Sequence, residues 1–127
     1  MGKIIDRRNE ALFALQLRSM KIRAETEYRF AAISCGGIGP GVRERLREAN
    51  LSDWRFDFAF PEHLVAVEIE GGAFNYGRHQ RPIGFHEDLI KYDAAINLGW
   101  TVYRCDALMI KSGRALNTTL KLIGYSL

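Results

Sequence analysis

The feature that most constrains this chain is a pair of alternating runs, "WRFDFAF" (54–60) and "VAVEIE" (65–70), separated by "PEHL". Alternation with period two is the pattern of a strand with two unlike faces. Pro61 suits the first bend of a tight turn. The spacing therefore predicts an antiparallel hairpin with a four-residue turn from Pro61 to Leu64. In the register this turn sets, Phe60 faces Val65, Phe58 faces Val67 and Phe56 faces Ile69. All six are large and apolar and are expected on one face; a slip of one residue would mix the faces. The other face carries Ala59 and Ala66, then Asp57 opposite Glu68, then Arg55 opposite Glu70. Directly opposed residues have Cβ atoms only ~5 Å apart. Glu68 and Glu70, two apart on a strand, point the same way. Three carboxylates thus converge at one end of an otherwise apolar hairpin. Like charges so placed cost stability unless a cation lies among them.

The flanking sequence supplies the layers. Leu12, Phe13, Leu15 and Leu17 recur at helical spacing, which predicts a helix from Asn9, as its N-cap, to about Arg18. "ETEYRFAAIS" alternates through Tyr28, Phe30 and Ala32 and predicts a strand. "CGGIGPG" breaks that pattern. "VRERLREANLS" is a short arginine-bearing helix inside a surface insertion spanning 34–53. Such a helix is usually a solvated face; a phosphate-contacting element is the rival reading. After Gly71 and Gly72, "AFNYGRHQRPIG" is a loop. "FHEDLIKYDAAINLG" is a helix with Phe85, Leu89, Tyr92 and Ile96 as its apolar stripe and Gly99 as its stop. "WTVYRCD" is the last strand, and "ALMIKSGRALNTTLKLI" is helical with an interruption near Gly113. The order implies one α/β domain over 1–127. Its mixed sheet has a central antiparallel hairpin flanked by helices, and a crossover makes the last strand parallel to "VAVEIE".

Composition narrows the setting. The chain has 127 residues, enough for one domain with a core. At 47% hydrophobic and 26% charged residues it matches an ordinary globular protein. No apolar run approaches the ~20 residues of a membrane span. "MGKIIDRRNEALFALQLRS" is too interrupted for a secretory signal. Cys35 and Cys105 have neither metal-type spacing nor the number for a disulfide scaffold. A cytoplasmic protein is the expectation. A net charge of +3 leans weakly toward a polyanionic partner, and arginine, which outnumbers lysine, suits phosphate through its fork.

Two uses compete for Asp57, Glu68 and Glu70. One is ordinary pairing with Arg55, Arg78 or Arg104 at a solvated edge. The other is a hard divalent cation. The glycine pair that follows lets backbone or ligand approach closely. Carboxylate oxygens suit Mg²⁺, which keeps waters and binds phosphate oxygens. Such an ion can generate a nucleophile and stabilise the leaving oxygen in phosphodiester hydrolysis.

"WRFDFAFPEHLVAVEIEGG", then "GRH", then "GFHEDLIKYDAAINLGWTVYRC" resembles the PD-(D/E)XK nuclease superfamily, nearest to small phage and bacterial endonuclease domains of the Vsr-like and DUF559 group. The likeness runs from about Asn9 to the final helix. It implies a restriction-endonuclease-like core and a DNA endonuclease dependent on Mg²⁺, with Mn²⁺ as a substitute. Carried over, Asp57 is the first metal-binding acid and Glu68 the second. The Ile69 carbonyl is a further ligand, and Glu10 the first-helix glutamate. A first-turn acid favoured by the helix dipole is the plainer reading of Glu10. Glu70 stands where the motif has lysine; it adds a third acid and removes a cation. Lys91 or His79 is then left to supply positive charge or a base. Arg78 and Arg81 suit phosphate contacts, and Arg55, Arg43 and Arg47 are further DNA-binding candidates. Phe74 and Tyr76 could stack on a base or pack on the glycine turn. The rivals are a Holliday-junction-resolvase-type nuclease, which needs a homodimer to cut two strands, an RNA-cleaving nuclease, and a DNA-binding module whose site decayed at Glu70. No helix-turn-helix or zinc finger is visible, so strong sequence specificity is not expected.

Overall fold

The computed structural model describes residues 7–71 and 82–126. It is a four-stranded mixed sheet with helices on both faces. Helix α1 (Arg8–Ser19) leads into β1 (Glu25–Tyr28), then α2 (Phe30–Ser34) and α3 (Val42–Glu48). Strands β2 (Phe56–Phe60) and β3 (Val65–Ile69) follow, joined by a 3-10 turn at Pro61–His63. Helix α4 (Pro82–Asn97) crosses to β4 (Thr101–Cys105), and α5 (Ala107–Lys111) and α6 (Arg114–Leu122) close the fold. The strand order is β1-β2-β3-β4, antiparallel except for the parallel β3–β4 pair.

The hairpin adopts the register set by its turn, with Phe58 opposite Val67, Ala59 opposite Ala66 and Phe60 opposite Val65. Leu64 closes the turn in the left-handed region (φ 53°), its N–H bonded to the Pro61 carbonyl at 3.2 Å. Phe58, Phe60, Val65 and Val67 form one core with Phe13 and Leu17 of α1, Ile110 of α5 and Ala115 of α6. On the other face, Ala59 and Ala66 meet Phe30, Ala31, Leu46, Ala95 and Trp100. Alanines in β2 and β3 let these partners approach the sheet closely, as dense packing requires.

Four local expectations are corrected. Phe56 does not share the face of Phe58 and Phe60. It lies in the second core, stacked on Phe30 at 4.0 Å between ring centroids and 5.1 Å from Trp100. The twist occurs level with Glu27 of β1, which is left-handed at φ 48° between the paired Thr26 and Tyr28. "ETEYRFAAIS" is a strand only to Tyr28; Phe30–Ser34 turns into a helix that buries Phe30, Ala31 and Ala32. Asn9 lies inside α1, and the cap position is Arg7, without a side-chain cap. The apolar stripe of α4 is not its buried face: Phe85, Leu89 and Ile96 are all more than half exposed. The face toward the sheet carries Ala95 with the half-buried Lys91 and Tyr92 instead.

The 34–53 stretch is tied to the domain. Leu46 is buried in the second core, and Arg29 grips Asp53 with two bonds of 3.0 and 2.7 Å. Arg45 is not a free phosphate contact. Its guanidinium donates to the carbonyls of Cys35, Pro40 and Gly37 at 2.9, 2.9 and 2.7 Å. Gly36 (φ 116°) leaves room for this fork, since a Cβ there would lie 2.9 Å from its Nε.

Candidate active site

Beyond the Phe58–Val67 pair the hairpin changes its way of bonding. The Asp57 N–H donates to Glu68 Oε2 at 2.8 Å, and the Ile69 N–H donates to Asp57 Oδ2 at 2.8 Å. Each acid thus accepts from backbone on or beside the other's strand, a reciprocal pair that fixes both carboxylates. Glu68 is only 5% exposed, which a carboxylate tolerates only when paired and hydrogen-bonded. Its partner is the Lys91 ammonium of α4, bonded to Glu68 Oε1. The Tyr92 hydroxyl donates to the same oxygen at 3.3 Å.

The electrostatics follow from this crowding. Burial, then the neighbouring Glu68 charge, pushes the Asp57 carboxyl up from 3.8 to about 7, against the opposing pull of the Ile69 N–H and Lys91. Burial also raises the Glu10 carboxyl, with Arg7 lowering it and Glu27 and Glu68 raising it further. Glu10, in the first turn of α1, is therefore within electrostatic reach of the pair. Its direct partner is Arg7 at 3.3 Å, which also reaches Glu27 at 3.4 Å. Burial and the Glu68 charge raise the Tyr92 phenol, so it stays a hydrogen-bond donor through neutral pH.

Glu70 has its own cation. Arg104 of β4 bonds Glu70 Oε1 at 2.6 Å and lies over the Tyr92 ring at 4.8 Å. The parallel register places Arg104 level with Glu68, which is why it reaches this end of the sheet. The expected trio therefore divides into a buried pair, Asp57 and Glu68, and a more exposed Glu70–Arg104 ion pair. Among the described residues, no group of three His, Cys, Asp or Glu side chains is arranged to hold a metal. Asp57 and Glu68 remain as two adjoining carboxylates, with the Ile69 amide fastened to the first.

Arg55 is exposed two residues before Asp57, and Arg43 and Arg47 are exposed on α3. His79, Arg78, Arg81, Phe74 and Tyr76 lie outside the described residues. Sequence reasoning placed Tyr92 in a core stripe and so missed it as a neighbour of the acids; Arg104 was one of three candidate partners for them, and the structure pairs it with Glu70. The signal for Tyr92 was its place beside Lys91, on the flank nearest the sheet. For Arg104 it was the parallel register, which sets position 104 against position 68. A cleft of about 510 Å³ lined by Phe60, Pro61, His63 and Ile123 lies at the turn end of the hairpin, away from the acids.

Comparison of the chain with protein-family models, with curated proteins and with solved structures gives no match.

Proposed function

We propose that the chain is a metal-dependent DNA endonuclease, with Asp57, Glu68 and Lys91 as the centre of its site. One observation carries this reading. Two carboxylates from adjacent strands are fastened to each other's backbone, one of them with its carboxyl raised by burial and by the other's charge, and an ammonium from a helix bonds the more buried one. Perturbed acids gathered with a specific charge partner are candidates for a functional site. Asp57 and Glu68 are also the residues to which the resemblance to PD-(D/E)XK nucleases gives the metal-binding roles.

The donor set fits Mg²⁺. One or two carboxylates plus waters and phosphate oxygens suffice for that ion, and Asp57 is raised first by burial and then by the Glu68 charge, a penalty on its charged form that a cation would offset. Asp57 and Glu68 would hold the ion, which when bound supplies Lewis-acid activation of water and of the leaving oxygen. Ile69 and Asp57 backbone amides keep both carboxylates oriented. Lys91 holds positive charge where negative charge builds on a phosphoryl group; it takes the role of the motif lysine that Glu70 replaces. Lys91–Glu68, to which the Tyr92 hydroxyl also donates, and Arg104–Glu70 stand as two separate ion pairs. The exposed Arg55, Arg43 and Arg47 would neutralise phosphates, along with Arg78 and Arg81.

The direct test is single-turnover cleavage of plasmid DNA in Mg²⁺ and Mn²⁺ by wild type, Asp57→Asn and Lys91→Ala. Metal-dependent nicking is expected in wild type, with Lys91→Ala slower by on the order of 10²-fold. Full activity in Asp57→Asn would remove the site assignment. A second reading is favoured by the completeness of the Glu68–Lys91 and Glu70–Arg104 pairs: a DNA-binding module without chemistry. It predicts salt-sensitive DNA binding and no cleavage in either metal. A four-way junction and an RNA hairpin in the same assay separate junction- and RNA-cleaving variants from a duplex nuclease.

A further inference from the structure

We propose that the chain pairs with a second copy of itself, edge to edge, through β4 and the apolar flank of α4. Phe85, Leu89 and Ile96 are 53, 51 and 68% exposed. Successive helix residues are ~100° apart, so these three fall within ~40° of one another on one side of α4. Neighbouring contacts show which side. Lys91 leans toward β2, over the Phe56 ring at 5.9 Å, whereas Tyr92 carries Arg104 of β4 against its ring at 4.8 Å. Leu89, Phe85 and Ile96 lie further round than Tyr92, away from Lys91, and so overhang the β4 side of the sheet.

That side is an open edge. Among the described residues β4 pairs with β3 alone. The Thr101 N–H donates to the Leu64 carbonyl at 2.8 Å, and the Cys105 carbonyl accepts from Glu70 N–H at 2.7 Å, both inward toward β3. Positions alternate along a strand, so the N–H and C=O groups of Val102 and Arg104 point outward, and among the described residues no strand receives them. Large apolar patches and unpaired strand edges are each a reason to expect a partner. Here they adjoin.

The occupant is a second copy because a single two-fold axis satisfies both features. Place the axis at Tyr103 and run the strands antiparallel. Val102 then faces Arg104 of the second copy, outward groups meet outward groups, and each such pair exchanges two hydrogen bonds. An axis at Arg104 would instead oppose two guanidinium groups, which is unfavourable. The Arg104–Tyr92 contact sets the middle of α4 level with the middle of β4, so the same axis brings the two apolar flanks together on one face. The three side chains expose on the order of 300 Å² of apolar surface, a substantial share of the ~800 Å² per partner in a standard interface. Because the strands are antiparallel, the two carboxylate pairs lie at opposite ends of the joined sheet. Each site is complete in its own copy, and this pairing does not depend on the nuclease reading.

The test is sedimentation velocity on the full chain from low micromolar to millimolar concentration, with amide hydrogen exchange on the same samples. A concentration-dependent dimer is expected. Leu89→Asp and Ile96→Asp, both at exposed positions, should each raise the dissociation constant by tenfold or more, roughly the effect of ~1.4 kcal/mol. The Val102 and Arg104 amides should gain protection with concentration in wild type and lose it in Ile96→Asp. A wild-type chain that stays monomeric at millimolar concentration would overturn the proposal. So would a dimer that survives both substitutions, or one in which the Val102 and Arg104 amides exchange freely. If a variant fails to fold, the wild-type exchange of those two amides decides alone.

Discussion

Replacing Asp57 with asparagine should stabilise the metal-free protein most at alkaline pH and progressively less as pH falls toward 3.8. The Asp57 carboxyl is pushed up from 3.8 to about 7, first by burial and then by the Glu68 charge. A carboxyl held above its unfolded value binds its proton more tightly in the native state. Its contribution to stability is therefore fully present below the unfolded value of 3.8, declines as pH rises through about 7, and is gone above it. A rise of about 3, at about 1.4 kcal/mol for each, gives a ceiling of about 4 kcal/mol. Asp57 is half-buried, and its proton is balanced against Glu68 and Lys91, so about half of that, ~2 kcal/mol, is the expected gain. Asparagine isolates the charge, because its side-chain oxygen can still accept from the Ile69 N–H.

The assay is thermal unfolding by circular dichroism, with chelator, for wild type and Asp57→Asn at about pH 5 and about pH 8.5. At the higher pH the variant should melt later by roughly 6 °C, given the entropy of unfolding of a domain this size. At the lower pH native Asp57 carries its proton while the unfolded side chain, with its ordinary value of 3.8, is already ionised, so a smaller gain of under ~1 kcal/mol is expected. Equal melting at both values, or an equal gain at both, would refute the reasoning, since only a charge that titrates between them gives a difference of differences. Adding Mg²⁺ at the higher pH should raise wild type toward the variant and leave the variant unmoved.

Lys91→Met should lose ~3–5 kcal/mol in urea titrations, because it leaves Glu68 charged and buried without a cation; adding Glu68→Gln to it should recover most of the loss. Phe56→Ala should cost ~3–5 kcal/mol by the same measurement, as a fully buried ring stacked on Phe30 and tilted against Trp100 is removed. Arg45→Ala should cost ~2 kcal/mol and speed amide exchange at Val42 and Arg45, whose N–H groups bond the Gly39 and Gly41 carbonyls. Arg45→Lys should recover little, since a single ammonium cannot serve three carbonyls set around a fork.

The hairpin was legible because two independent signals agree on it. The Pro61 turn fixes the register, and the apolar alternation of Phe58, Phe60, Val65 and Val67 fixes the face. The parallel final strand was legible from the crossover alone. The nearness of Asp57 and Glu68 followed from the register, although the ladder stops at Phe58–Val67 and the two acids meet through side-chain bonds to backbone. What failed was what tertiary packing decides. Tyr28, Phe30 and Ala32 alternate like a strand, yet Phe30 gains more by stacking on Phe56 and Trp54 from a short helix. Phe56 obeys the alternation in sequence and departs from it in space, because the chain twists where the carboxylates replace backbone carbonyls as acceptors. The apolar stripe of α4 has the right period for a buried face. Nothing in one sequence says that the ammonium beside it is needed inside.

The orientation of α4 joins the candidate site to the proposed pairing surface. Turning the helix by roughly a third of a turn would bury Phe85, Leu89 and Ile96, worth about 7 kcal/mol for on the order of 300 Å² at ~25 cal/mol per Å². It would also carry Lys91 away from Glu68, leaving a buried carboxylate unpaired at a cost of ~3–5 kcal/mol. Ala95, which has no exposed surface, would be replaced at the sheet by a bulkier side chain, and such overpacking costs a further ~1–3 kcal/mol. The two orientations are thus close in energy for one copy alone. A second copy breaks the tie, because it covers the stripe without moving Lys91. Two stripes together are worth at most about 15 kcal/mol, against an association cost of ~4–15 kcal/mol. Four strand-edge hydrogen bonds add a net ~0.5–1.5 kcal/mol each. The middle of these ranges lies near the ~8 kcal/mol of a micromolar dimer. A stripe substitution that abolishes it should leave the Lys91–Glu68 pair, and with it the stability of the single copy, intact.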